Sequence, residues 1–266
     1  MPPILESQAL TRQFGTLTAV DTLNISVESG EVFGLLGPNG AGKSTAIKMF
    51  TTLLPPTTGN ARIVGYDLRR QAPKIRRVIG YVPQMLSADG TLTGYENLLI
   101  FAKLYDLPHR EREQRVRDAL DFMGLAEVAE SMVQTYSGGM IRRLEIAQSM
   151  LHRPRLLFLD EPTVGLDPSA RRAVWGHVRQ MCVEYGMTIF LTTHLMEEAD
   201  SLCSRVAIMH LGKVATIGTP QALKESIGGE HVTLDDVFIH YAGDDLESGG
   251  SFREVSRARR VAKRVG

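Results

Sequence analysis

Short apolar runs separated by turn residues open the chain, at Ala9 to Phe14 and at Leu23 to Val27. A continuous apolar run follows at Glu31-Val32-Phe33-Gly34-Leu35-Leu36, and the pattern from Thr45 to Leu54 reads as the start of a helix. Strands are predicted near Asn60 to Val64 and Val78 to Pro83. From Thr91 to about Leu151 the period becomes helical: Thr93 and Glu96 form a capping box, and Tyr95, Leu98, Phe101 and Tyr105 recur on one side of the helix it opens. Arg110 to Phe122 reads as a charged amphipathic helix, and Met140, Leu144, Ala147 and Leu151 mark another. Strand character returns at Arg155 to Asp160 and at Thr188 to Thr193, on either side of a helix from about Ser169 to Glu184. Two more strands are predicted at Val206 to His210 and Lys213 to Ile217, around a turn at Leu211-Gly212. Apolar runs without alternation suit parallel strands covered on both faces. The pattern thus predicts an α/β fold: a doubly wound parallel core, an N-terminal antiparallel β portion, and an α-helical sub-domain inserted at about residues 85–153. After Gly228 the chain turns polar and Gly-rich, apart from Leu234 to Tyr241.

Composition narrows the class. The length of 266 residues suits one substantial core with a sub-domain, and 30 basic residues balance 30 acidic ones. Zero net charge gives no global electrostatic case for nucleic acid. The segment after Gly250 is nonetheless basic, with Arg253, Arg257, Arg259, Arg260, Lys263 and Arg264 against Glu254. Such a tail is expected either to be solvated or to lie near anionic lipid headgroups. Cys182 and Cys203 lack metal-ligand spacing and suit reduced thiols in a cytosolic protein. No apolar run approaches the roughly 20 residues that span a bilayer, and no signal-peptide pattern opens the chain, so the chain is not expected to cross a membrane itself.

The chemistry begins at Gly37-Pro38-Asn39-Gly40-Ala41-Gly42-Lys43-Ser44-Thr45, which fits G-x-x-x-x-G-K-[ST] between a strand and a helix. Gly37, Gly40 and Gly42 let successive N–H groups curl around phosphates, using backbone angles that a side chain would forbid. Lys43 reaches the β and γ phosphates and Ser44 offers a hydroxyl to Mg²⁺. The pattern therefore predicts a nucleoside triphosphate and Mg²⁺ as ligands. The apolar strand Leu156-Leu157-Phe158-Leu159 ends in Asp160-Glu161, at the strand edge where α/β sheets bind ligands. Asp160 can hold Mg²⁺, and Glu161 is placed to polarise an attacking water as general base.

With these residues the chain resembles the ABC ATPases over nearly all of its first 220 residues. The diagnostic signature stands at Tyr136-Ser137-Gly138-Gly139-Met140, before the acidic strand. The resemblance implies a P-loop NTPase with a RecA-like core, spanning residues 1–225, and a C-terminal extension at 226–266. It implies that Ser137, Gly138 and Gly139 bind the γ-phosphate of ATP held on a second subunit. Gln84 matches the glutamine that contacts Mg²⁺ or the lytic water and senses the membrane partner. Asp167, in Gly165-Leu166-Asp167, matches a loop that crosses to the other subunit, and His194 matches the switch histidine that orients Glu161. Phe14 stands where Tyr usually stacks on adenine; it serves either that stacking or core packing. Tyr136 and Met140 replace the usual Leu and Gln. Together with Ile141-Arg142-Arg143-Leu144-Glu145 and Thr233-Leu234-Asp235-Asp236-Val237-Phe238, they are similar to daunorubicin-resistance ATPases. The resemblance implies the ATP-hydrolysing subunit of an ABC-2-type exporter: a nucleotide-sandwich homodimer, peripheral on the cytoplasmic face of the membrane, seated on separately encoded permease subunits. A nutrient-importer ATPase and a soluble ABC protein remain as alternatives.

Overall fold

A computed structural model describes residues 2–229 and 231–242. An antiparallel sheet is built from β1 (Leu5–Phe14), β2 (Leu17–Leu23), β3 (Ser26–Val27), β5 (Thr58–Ile63) and β6 (Tyr66–Asp67). The second sheet comprises β4 (Val32–Leu36), β7 (Ile79–Val82), β8 (Leu156–Asp160), β9 (Thr188–Thr193), β10 (Arg205–His210) and β11 (Lys213–Gly218). Its order is β11, β10, β4, β9, β8, β7; every pairing is parallel except the β10–β11 hairpin.

Strands β4, β8 and β9 are buried along their whole length, and alternate side chains enter different cores. Phe33, Leu35, Phe158 and Phe190 join Phe50 of α1 (Lys43–Phe50) and the antiparallel sheet. Val32, Leu36, Leu159 and Leu191 join the opposite core, with Leu144 of α5 (Gly138–Met150) and Val174 and Val178 of α6 (Pro168–Tyr185). Phe190 is the hub of the first core, with ring centroids 5.5 Å from Phe33, 5.6 Å from Phe50 and 5.5 Å from Phe158. Truncating it removes all three contacts and leaves a cavity under the sheet. Phe190→Ala is expected to lower stability by about 3–5 kcal/mol, measured as a shift in the denaturant midpoint; a loss under about 1 kcal/mol would mean that this core collapses to fill the gap.

Between β7 and β8 the chain is helical, with α3 (Gly94–Leu104), α4 (His109–Phe122) and α5. The capping box forms as read: Thr93 Oγ1 accepts the Glu96 N–H at 3.1 Å, and Thr93 N–H donates to Glu96 Oε2 at 2.9 Å. Several elements differ from the sequence pattern. The strand expected at Leu23–Val27 is mostly turned out of the ladder, leaving the pair Ser26–Val27, while β2 starts earlier at Leu17. Three short elements, β6, α2 (Ala72–Arg76) and α7 (Met196–Leu202), are too brief to show a period in the sequence.

The division expected after residue 225 falls inside α8 (Pro220–Ile227), which Thr219 caps by accepting the Ala222 N–H at 3.1 Å. Beyond it α9 (Leu234–Ala242) buries Leu234, Val237, Phe238 and Ala242 in the same core as β4 and α6. Thr233 and Asp236 cap that helix reciprocally, with Thr233 N–H donating to Asp236 Oδ2 at 3.1 Å and Asp236 N–H to Thr233 Oγ1 at 3.3 Å. The Thr-Leu-Asp-Asp-Val-Phe run is thus a helix start plus an apolar stripe, and the extension, where described, is continuous with the main body. The basic stretch from Arg253 to Arg264 lies outside the described residues. No helix among the described residues is long and apolar enough to cross a membrane.

Candidate active site

Four adjacent parallel strands, β4, β9, β8 and β7, end on one edge of the sheet. The register pairs Leu36 with Thr193, Asp160 with Thr192, and Val82 with Leu159. The segments that leave these ends therefore lie side by side: the loop from Gly37, then His194, then Asp160-Glu161, then Gln84. Residues scattered over more than 150 positions of sequence meet because of strand order.

In the Gly37 loop the three glycines serve different needs. Gly40 and Gly42 have φ of +83° and +105°, where L side chains are strained. Gly37 has no such φ; it is required for room, because a Cβ there would collide with the Met209 carbonyl oxygen. The loop leads into α1 with Gly42 at its N-cap, so the free N–H groups of the first turn face the loop.

The Lys43 ammonium is buried and matched on three sides. It donates to the carbonyls of Gly37 at 2.9 Å and Pro38 at 3.0 Å, and pairs with Glu161 Oε1 at 3.1 Å. Glu161 is itself 3% exposed. Its other oxygen, Oε2, faces Gln84 Nε2 at 3.3 Å and His194 Nδ1 at 3.2 Å. This carboxylate is the centre of the cluster, gathering Lys43, Gln84 and His194. Its backbone is held at φ +48°, an unusual value for a residue other than glycine. The Glu161 N–H is fixed there by both the carbonyl and the hydroxyl of Thr192, each at 3.1 Å.

Thr192 had no signal in the sequence, since it reads as one more β-branched strand residue. Its hydroxyl also donates to Asp160 Oδ1 at 2.6 Å, so one fully buried side chain orients both acids. Ser44 Oγ donates to the same Asp160 oxygen at 3.1 Å.

A second group lies at the starts of α5 and α6. Ser137 caps α5 by accepting the Met140 N–H at 3.3 Å, which leaves the N–H groups of Gly138 and Gly139 without intrahelical acceptors. Gly139 permits close approach of α6: a Cβ there would lie 2.6 Å from the Ala170 Cβ. Asp167 caps α6, accepting the N–H groups of Ala170 at 3.0 Å and Ser169 at 2.9 Å, and these bonds hold its carboxyl below the usual range. Among the described residues no hydrogen bond or ion pair joins Ser137, Gly138, Gly139 or Asp167 to the Lys43–Glu161 cluster. Phe14 also stands apart, at the end of β1, 44% exposed and outside both cores; the core-packing alternative therefore falls. One face of its ring is covered by the Arg12 guanidinium, 4.6 Å from the centroid.

A family model described as ABC transporter matches residues 20–164, from before the Gly37 loop to beyond Glu161. The chain belongs to the ABC transporter family. It is an ATP-binding, ATP-hydrolysing domain of P-loop NTPase fold. It is 41% identical over 229 residues to the linearmycin resistance ATP-binding protein LnrL of Bacillus subtilis (strain 168), covering 86% of this chain and 73% of that one. It is 43% identical over 230 residues to the daunorubicin/doxorubicin resistance ATP-binding protein DrrA of Streptomyces peucetius, covering 86% and 69%. A solved ATP binding subunit of an ABC transporter matches with a TM-score of 0.80 at 30% identity, over 90% of this chain and all of that one.

Proposed function

We propose that this ABC ATPase is the motor subunit of an ABC-2-type exporter for a drug, an antibiotic or a lipid-like molecule. In this reading it works as a homodimer on separately encoded integral-membrane subunits at the cytoplasmic face. The observation that carries the reading is the buried Glu161 carboxylate, drawn together with Lys43, Gln84 and His194 at the edge where the phosphate loop ends. Support for export comes from a relative named as a Nod factor export ATP-binding protein, and support for a drug or antibiotic cargo from the relatives named for resistance.

The residues fit Mg²⁺ as well as ATP. Ser44 Oγ and Asp160 Oδ1, held 3.1 Å apart by their hydrogen bond, are hard oxygen donors of the kind that Mg²⁺ would take as ligands. Bound there, Mg²⁺ would offset phosphate charge. The loop from Gly37 to Thr45 cradles the phosphates, Phe14 offers its open ring face to adenine, and Lys43 exchanges part of its bonding for the β and γ phosphates. Glu161, released from Lys43, takes the proton of the attacking water. His194 and Gln84 hold its second oxygen and so fix its direction. Ser137, Gly138 and Gly139 serve the nucleotide of the other subunit, across the dimer.

Lys43→Ala is expected to weaken ATP binding about 10- to 100-fold, since it removes a charge-assisted contact to phosphate; unchanged affinity by calorimetry would contradict the role. For the whole reading, a tagged chain drawn from detergent-solubilised membranes of its host should bring an integral-membrane subunit with it. Recovery from the soluble fraction alone would count against the transport assignment.

A further inference from the structure

Arg142 and Glu145 lie one to two turns into α5 and are 2% and 3% exposed. Arg142 Nη1 and Glu145 Oε2 pair at 3.1 Å. A buried pair that satisfied only itself would contribute little, because desolvation offsets the attraction. Burial indeed pushes the Glu145 carboxyl up and the Arg142 guanidinium down from their ordinary values. The remaining bonding capacity reaches across to another element. Arg142 donates from Nη1 to the Pro83 carbonyl at 2.7 Å and from Nη2 to the Gln84 carbonyl at 2.6 Å. Glu145 Oε1 accepts the Ser87 N–H, and the Ser87 hydroxyl at 3.2 Å. Both ends of the segment after β7 are thereby fastened to α5, while Met85 and Leu86 between them are 81% and 50% exposed.

We propose that Arg142 and Glu145 are positioning residues that lock the Gln84 loop to the Ser137 helix as one body. The Gln84 amide then keeps its reach to Glu161 only while α5 is in place. This rests on the roles of Gln84 and Ser137 given above. A rigid two-ended attachment suits the task, because either side chain alone would leave the segment free to pivot about the other.

The test uses the full chain in complex with its membrane subunits. Arg142→Met keeps length and apolar volume but removes the donors. It is expected to speed amide exchange in residues 83–88 by about 10-fold, with β9 and α6 unchanged. It should lower kcat for ATP about 10-fold with KM within about 2-fold, the fold-change of losing charge-assisted bonds that act on turnover. Arg142→Lys, a milder change that keeps a donor, should fall between. The decisive variant is the exchange Arg142→Glu with Glu145→Arg. It restores an ion pair, but a carboxylate cannot donate to the Pro83 and Gln84 carbonyls, so it should do no better than Arg142→Met. If the swap restores protection and turnover, the pair is only a helix salt bridge and the proposal is overturned. Adding Arg142→Met to Gln84→Ala should cost less than about 2-fold further, whereas a full multiplicative loss would overturn action through Gln84. If Gln84→Ala alone leaves kcat intact, the catalytic reading of Gln84 fails, and the exchange of residues 83–88 still decides whether the attachment exists.

Discussion

Glu161→Gln is expected to leave ATP bound and to slow its hydrolysis by about 10²–10⁴-fold, the usual contribution of a positioned general base. The amide has the shape of the carboxylate but cannot accept the proton of the attacking water. Its oxygen can still meet the Lys43 ammonium, which also keeps the Gly37 and Pro38 carbonyls at 2.9 and 3.0 Å. The fold should tolerate the change: Lys43 loses its counter-charge but keeps two carbonyl acceptors and gains the glutamine oxygen, and His194 lies partly exposed. The substitution also removes the ion pair that competes with phosphate for Lys43, so ATP affinity should stay level or rise. Bound ATP that is not hydrolysed should hold dimers closed. Turnover within a few-fold of the parent protein, measured on the purified complex, would reject Glu161 as the base.

Ser137→Arg is expected to abolish cooperative ATPase activity, a loss of about 10²-fold or more, because a bulky side chain would take the place of the small hydroxyl that, in the proposed dimer, meets the γ-phosphate of the other subunit's ATP. The direct structural cost is small. Ser137 gives α5 one cap bond, worth about 1 kcal/mol, so the chain should fold. Its own nucleotide should bind almost normally, since the Ser137 side chain makes no contact with the Lys43–Glu161 cluster of the same chain. Retained binding with lost turnover is the signature of a residue that acts on another subunit's nucleotide. Loss of ATP binding by the monomer would instead place Ser137 in its own chain's site.

Much of this was legible in the sequence because the relevant signals are local. Gly40 and Gly42 sit where φ is positive, Thr93 and Glu96 form their capping box, and the apolar run at Leu156–Asp160 is a buried strand. Strand order was not legible. That β9 lies between β4 and β8 follows from packing over the whole domain, yet it alone brings His194 to Glu161. Thr192 was hidden because a hydroxyl that orients two acids looks, in sequence, like any β-branched strand residue. Arg142 and Glu145 read as charges on a helix, and only the fold shows them buried against the loop after β7. Gly37 departs from the expectation for the loop glycines: its φ is not positive, and what it lacks room for is a Cβ against Met209.

In the proposed dimer each catalytic site is shared between two chains, with the Lys43 cluster from one and the Ser137 helix from the other. Mixing inactive Lys43→Ala and Ser137→Arg subunits tests it most directly. In a mixed dimer one of the two composite sites combines an intact Lys43 loop with an intact Ser137 helix, while the other carries both defects. Neither variant alone is expected to hydrolyse ATP cooperatively, and the mixture is expected to regain ATP-dependent dimerisation together with ATPase activity. A mixture as inactive as its parts, with no ATP-dependent dimer by light scattering, would contradict the shared site.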